Sequence, residues 1–333
     1  MAIKNLSNAF KVEVENTTQW TLPNGDNSSI GTDLIAWNKM KNMLAESSYQ
    51  GSLTRNGVVS TYSLVYTNAS GAYTGGVLAP NGDIHFVPLL ANRGQKVAVD
   101  GTVSTYSLVY VAAYAYTGGV LAPNGDIHFI PYTAAVGQKI SADGTVSTYS
   151  LVYAGSYYGG GVLAPNGDIH FVPRNATVGQ KVSADGTVST YSLVYTNTNA
   201  YFGGVLAPNG DIHFVPFNAN RGQKVSVDGT VSTYSLVYTG GGVYAGGVLA
   251  PNGDIHFIPY NANRGQKVSV DGTVSTYSLV YIGASGAYYG GVLAPNGDIH
   301  FIPYNAAVGQ KICLNNGGSF SLGICMSPFF NKF

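Results

Sequence analysis

The phrase GGVLAPNGDIHF occurs six times, beginning at Gly75, Gly118, Gly160, Gly203, Gly246 and Gly290, so that one unit of 42 to 44 residues fills most of the chain. Four short strands joined by four turns need about 40 residues, and a tandem array with this period is the sequence form of a β-propeller, one blade per copy. The 333 residues are therefore expected to form one repeat body with appendages rather than two average domains.

One copy, residues 246 to 281, divides into four strands: Gly247 to Ala250, Asp254 to Ile258, Gln266 to Val270 and Thr273 to Tyr281. Asn252-Gly253 joins the first pair and Asp271-Gly272 the second, as two-residue hairpin turns with positive φ at both positions. Near the axis of a propeller bulky side chains collide. The small Gly-Gly-Val-Leu-Ala strand is therefore placed innermost, and the Thr-, Ser-, Tyr- and Val-rich strand outermost. The fold class expected is all-β, a six-bladed β-propeller of four-stranded antiparallel blades with a short N-terminal arm and helix.

The outer strand Val58 to Tyr66 precedes the first complete copy, whereas Gly290 to Leu314 supplies only three strands. Joining them in one blade would close the ring and remove its free edges. Ser319 to Leu322, a decayed copy of Thr-Tyr-Ser-Leu, competes for the same place. The domain reading is residues 1–50 as an arm with a helix at Thr32 to Glu46, 51–316 as the propeller, and 317–333 as a C-terminal strand or tail.

Lys and Arg number 16 and Asp and Glu 16, with charged residues only 10% of the chain. No sign bias recruits nucleic acid or an anionic membrane, and no run of 18 apolar residues suggests membrane insertion. The opening residues lack an apolar leader, so synthesis in a cytoplasm is expected. Cys313 and Cys325 are read as free thiols.

All six histidines, His85, His128, His170, His213, His256 and His300, occupy one repeat position. A ring of ligands or bases is one reading. The reading adopted is structural, with each histidine hydrogen-bonded within its blade near the Asp two residues earlier, because a catalytic or metal site needs unlike residues converging on one spot. The repeated lysines, such as Lys224, are read as charge partners of the repeated aspartates. No nucleophile elbow, phosphate loop or metal-binding helix is present in the sequence. The expectation is a non-enzymatic chain with no cofactor, no metal and no catalytic residue.

Variation between copies gathers on one face. Its blade-to-blade loops are rich in Tyr, Asn, Ser and Gly, a composition suited to adaptable contact, with neutral drift in loops as the competing reading. Tyr73, Tyr116, Tyr158, Tyr201, Tyr244 and Tyr288, with Arg93, Arg221 and Arg264, are the binding-face candidates. Trp20 and Trp37 lie outside the repeats and are the anchoring candidates.

GGVLAPNGDIHFVP resembles the Gly-Gly-containing blades of kelch-like propellers, although the kelch blade Trp is absent. The near-identical β-array with distinctive ends, including the Phe-Phe-Asn-Lys-Phe terminus, also resembles structural proteins of tailed bacteriophages. That resemblance implies a virion component, such as a capsid decoration, head fibre or tail-associated protein, made in the host cytoplasm. It would bind other virion proteins through its terminal arms, touch a host-surface glycan or receptor through its loop face, and could form a homo-oligomer. A glycan-binding lectin-like propeller is the alternative, and a glycosidase the third reading.

Overall fold

Each repeat is built outward from its two glycine turns. The computed structural model describes residues 19–21, 27–29, 60–67, 70–155, 157–283 and 285–314. In the copy at 201–235 the strands are Tyr201–Leu206, Ile212–Pro216, Arg221–Val225 and Val231–Ser235, consecutive and antiparallel. Five such four-stranded sheets cover 73–107, 116–150, 158–192, 201–235 and 244–278, and a three-stranded sheet covers 288–312; these are blades 1 to 6. The protein is an all-β propeller of four-stranded antiparallel blades, and no helix occurs among the described residues.

The hairpin turns differ in detail from the expected two-residue form. Gly210 N–H donates to Ala207 O at 3.0 Å and Ala207 N–H to Asp211 O at 2.8 Å. Pro208 and Asn209 are thus the central pair of a type I turn, and only Gly210, at φ +87°, is left-handed. The turn plus a left-handed glycine restores the strand twist without asking Asn for a positive φ. Asn209 Oδ1 accepts the Asp211 N–H at 3.1 Å and locks the corner.

First strands of consecutive blades pack on one another, so the Gly-rich strand is the inner one as its size requires. A Cβ on Gly203 would come 3.3 Å from the Gly246 Cα, and one on Gly246 3.0 Å from the Gly290 Cα. Backbone meets backbone there, and only glycine fits. Outward from this line the core lies between blades: Val162 and Val172 of blade 3 pack with Tyr201, Ile212 and Phe214 of blade 4.

The fourth strand is shorter than expected, ending at Ser278 in blade 5. The Leu-Val-Tyr that follows leaves its own sheet for the next blade. Gln223, fully buried in blade 4, shows why: its Oε1 accepts the N–H groups of Val194 (3.0 Å) and Tyr195 (2.8 Å) from the preceding copy. Replacing Gln223 by Ala leaves two backbone donors without a partner, and an unsatisfied buried donor costs about 1–3 kcal/mol. The expected loss is about 3 kcal/mol in a urea unfolding series; an unchanged midpoint would mean that water reaches those amides.

The same contact recurs at the N-terminal side of blade 1. Val65 and Tyr66 N–H groups donate to Gln95 Oε1 of blade 1, at 3.0 and 2.8 Å, and residues 60–67 form no strand. Among the described residues this segment has no strand pairing with Gln310–Ile312, the last described strand of blade 6. The chain divides into two compact units, 1–62 and 63–333. Within the first, Gln19–Thr21 pairs with Asn27–Ser29. The expected helix at 32–46, Trp37 and the tail beyond 314 lie outside the described residues.

Candidate functional site

The repeated polar residues form the walls of the blades. In blade 4, Asp211 Oδ2 lies 2.6 Å from Lys224 Nζ, on the neighbouring strand, and Asn209 Nδ2 donates to the same oxygen at 3.1 Å. Burial acts to raise the Asp211 carboxyl, but the lysine and asparagine hydrogen bonds and the lysine charge outweigh it, leaving the group below the usual carboxylate range. His213 pairs elsewhere: its Nδ1 lies 3.1 Å from the Tyr234 hydroxyl, across a tilted ring pair 5.4 Å apart. The Asp–Lys contact is the charge pair expected of the repeated lysines, and it leaves the histidine to the outer-strand tyrosine rather than the aspartate, because the cross-strand partner of His213 is Lys224, long enough to reach the carboxylate.

Burial, reinforced by the lysine charge and opposed by the aspartate, pushes His128, His170, His213 and His256 down to about 4. His85 is also lowered, for the same reasons. His300 is exposed; in its copy Phe320 stands at the tyrosine position.

The binding-face tyrosines are corrected by the structure. Tyr116, Tyr158, Tyr201, Tyr244 and Tyr288 are fully buried, and Tyr73 is half-buried. Each donates its hydroxyl to a carbonyl 20 residues on, the first of the third strand in blades 1 to 5, as Tyr201 does to Arg221 O at 3.1 Å, and Val308 O just before that strand in blade 6; Tyr201 packs its ring 5.7 Å from Phe214. They begin the first strand and point into the core, where the ring is dry and the hydroxyl still finds an acceptor. Arg93, Arg221 and Arg264 are exposed at the starts of their third strands. Trp20 lies in the N-terminal hairpin, in the strand Gln19–Thr21.

Where the blades differ, a different set of side chains meets. The position after the proline that ends each second strand holds Leu89, Tyr132, Arg174, Phe217, Tyr260 and Tyr304, and the second position of the first strand holds Phe202 in blade 4 and Tyr289 in blade 6. Arg174 lies with its guanidinium carbon 5.3 Å from the Tyr132 ring centre and 5.0 Å from that of Phe202. Phe202 is 5.2 Å from Tyr289 and 6.0 Å from Phe217; Tyr260 stands 5.6 Å from Phe217 and 6.2 Å from Tyr289, and Tyr304 5.6 Å from Tyr289. Residues of blades 2 to 6 thus converge, and blade 4 reaches blade 6 past blade 5, so the cluster sits at the axial mouth.

Its frame is rigid. Ala200 N–H donates to Arg174 O, Val243 N–H to Phe217 O and Ala287 N–H to Tyr260 O, all at 2.7–2.9 Å, tying each mouth residue to the next blade. Arg174 is aimed by Asn199 Oδ1, which accepts its Nε–H at 2.7 Å, and by the Tyr132 hydroxyl, 3.2 Å from Nη1. Asn199 itself is held at φ +51°, as is Tyr157, whose ring stacks edgewise 4.9 Å from Tyr132. Non-glycine residues at that φ are uncommon and gather where the surroundings fix them for a purpose. Arg174, Phe202 and Tyr260 are half-buried while Tyr157, Tyr289 and Tyr304 are exposed, so the cluster presents aromatic faces and one positive charge to a ligand. Sequence reasoning passed over Arg174. Its signal was there, as the one charged residue in a column otherwise aromatic or aliphatic.

Residues 18–310 match the profile of the Virginiamycin B lyase family. A solved streptogramin B lyase is similar over 75% of this chain and 81% of its own, at 23% identity and a TM-score of 0.64. A catalytically inactive histidine-to-alanine variant of virginiamycin B lyase from Staphylococcus aureus, solved with quinupristin, is similar over 75% and 85%, at 18% identity and a TM-score of 0.64. A protein from Lactobacillus plantarum is similar over 72% and 80%, at 16% identity and a TM-score of 0.56. No curated protein matches. The family match overturns the kelch and bacteriophage resemblances, and with them the virion role, the virion location and the expectation of a chain outside enzyme families. Glycine-rich hairpins and a period near 40 follow from blade geometry and are shared by unrelated propellers, so they cannot carry a family assignment.

Proposed function

The chain belongs to the virginiamycin B lyase family, and from that premise we propose that it acts on an aromatic-bearing substrate seated across the axial mouth. The convergence of Arg174 with Phe202, Phe217, Tyr260 and Tyr289 carries this reading. Blades 2 to 6 contribute unlike residues to one spot, whereas the Asp, Lys, His and Gln described above are repeated blade by blade. The rings supply flat apolar contact at little entropic cost. A lyase cleaves a bond by elimination, and negative charge grows on the departing group. Arg174, fixed by Asn199 and Tyr132, is placed to neutralise that charge, and the tyrosine hydroxyls can donate hydrogen bonds beside it. The ring that carries the mouth has more than six blades in this reading, because Ile84 of blade 1 and Ile302 of blade 6 are 42% and 43% exposed where their equivalents in the other blades are at most 2%.

Quinupristin, the compound held by the solved relative, is the probe. Incubation with the purified chain is expected to give product by mass spectrometry with the total mass of the substrate, since elimination adds no water. Arg174→Gln should lower kcat/KM about a hundredfold, the usual cost of one charge-stabilising donor. Absence of both binding and cleavage, or full activity in Arg174→Gln, would overturn the reading.

A further inference from the structure

Tyr114, in the loop that enters the first strand of blade 2, is 50% exposed, and among the described residues its ring and hydroxyl make no ring contact or hydrogen bond. Its backbone is left-handed, at φ +57°. The equivalent residue, two before the tyrosine that begins the first strand, is Gly71, Gly242 and Gly286 in blades 1, 5 and 6, at φ +62° to +69°. A residue with a Cβ is strained there, and a bulky aromatic one is rarer still. The conformation is nonetheless fixed: the Tyr114 carbonyl accepts the Thr133 N–H at 3.1 Å and the Thr133 hydroxyl at 2.9 Å, one residue from Tyr132 of the mouth.

The direction in which a side chain leaves this position is shown by the other blades. A Cβ on Gly242 would come 3.3 Å from Cζ of Phe217, and one on Gly286 3.1 Å from Cζ of Tyr260, in each case the mouth residue of the preceding blade. Asn199 of blade 4 points the same way, its Oδ1 accepting the Nε–H of Arg174. In blade 3, whose loop is shorter, Tyr157 does so from the next position, with its ring 4.9 Å from that of Tyr132. For Tyr114 the mouth residue of the preceding blade is Leu89, the one aliphatic member of its column.

Resting on the reading of the mouth given above, we propose that Tyr114 is a substrate-contacting, specificity-determining residue: it supplies beside Leu89 the aromatic face that blade 1 lacks, and takes a flat apolar group of the substrate remote from Arg174. Backbone strain with no ring or hydrogen-bond contact inside the fold to offset it points outward, to a bound molecule. The two other non-glycine residues that enter the mouth with positive φ, Asn199 and Tyr157, already serve the cluster around Arg174.

The test uses the full chain and quinupristin. Tyr114→Gly should raise Kd about tenfold by calorimetry, the upper range for one aromatic contact, and lower kcat/KM by the same factor through KM, because a contact remote from the reacting bond holds substrate and transition state alike. Tyr114→Phe should keep the wild-type Kd, since the ring makes the contact. The urea midpoint of Tyr114→Gly should stay level or rise, as glycine takes that φ without strain. A wild-type Kd in Tyr114→Gly, beside impaired cleavage in Arg174→Gln, would overturn this inference and leave the reading of the mouth standing. A lowered midpoint in Tyr114→Gly would overturn it by making the ring part of the fold, and so would a Tyr114→Phe that binds as weakly as Tyr114→Gly. If the wild-type chain neither binds nor cleaves quinupristin, the reading of the mouth fails and this inference falls with it.

Discussion

Lowering the pH from 7 is expected to unfold this protein while its aspartates are still ionised. A histidine titrates near 6.5 in an unfolded chain, and burial holds His128, His170, His213 and His256 at about 4 in the blades. Between those values the unfolded chain binds the protons, so stability falls as pH falls, being complete above the unfolded value and lost by the folded one. Each displacement is worth on the order of 3 kcal/mol, so four together come to about 12 kcal/mol, which rivals the whole stability of an average domain. Protonation has no outlet in the fold: Nδ1 faces a tyrosine hydroxyl, and the Nε2 of His256 is buried with no partner. The Asp–Lys pairs work the other way. Their carboxyls are depressed, so their contribution persists to lower pH and fails only below the ordinary aspartate range. Urea midpoints measured by circular dichroism should therefore drop steeply between about pH 6.5 and 4, and His213→Asn should flatten the slope. A flat profile over that interval would show that the histidines are hydrated.

A single methyl group added to the third strand should be among the most damaging substitutions available. Gly222 lies opposite Tyr234 in the sheet register, and the tyrosine ring lies flat over it. A Cβ there would sit 2.1 Å from ring atoms Cε2 and Cζ and 2.6 Å from Cδ2. The ring cannot swing aside freely, because its hydroxyl is the partner of His213 Nδ1. Gly222→Ala is therefore expected to cost about 3 kcal/mol or more, the upper range for overpacking, and to expose the histidine. Gly229→Ala is the control. Its φ is +86° with open space around the added methyl, so only the backbone penalty of about 1 kcal/mol applies. Equal losses in the two variants would mean that Tyr234 moves without consequence.

The same contrast separates what was legible in the chain from what was not. Gly-Gly-Val-Leu-Ala as the inner strand follows from size alone, and the two glycine corners follow from local backbone chemistry. Lysine beside aspartate is a matter of charge at one repeat position. These depend on neighbours within one copy, and one copy written six times states them six times. The tyrosines at 116, 158, 201, 244 and 288 have a sequence context that fits either a loop tip or a strand start. Only a carbonyl 20 residues away turns them inward. Gln223 looks like any polar strand residue until the preceding copy lays two amides on it.

Arg174 and its aromatic partners come from five copies, and no local pattern brings Phe202 to Tyr289 across an intervening blade. The sequence by itself determined the strands, their order and the glycine line at the axis, because those are set by propensity, period and excluded volume. Tertiary structure alone decided which side chains face one another across blades and which meet at the mouth. Such contacts are fixed by the rotation from blade to blade, a quantity that no single repeat contains.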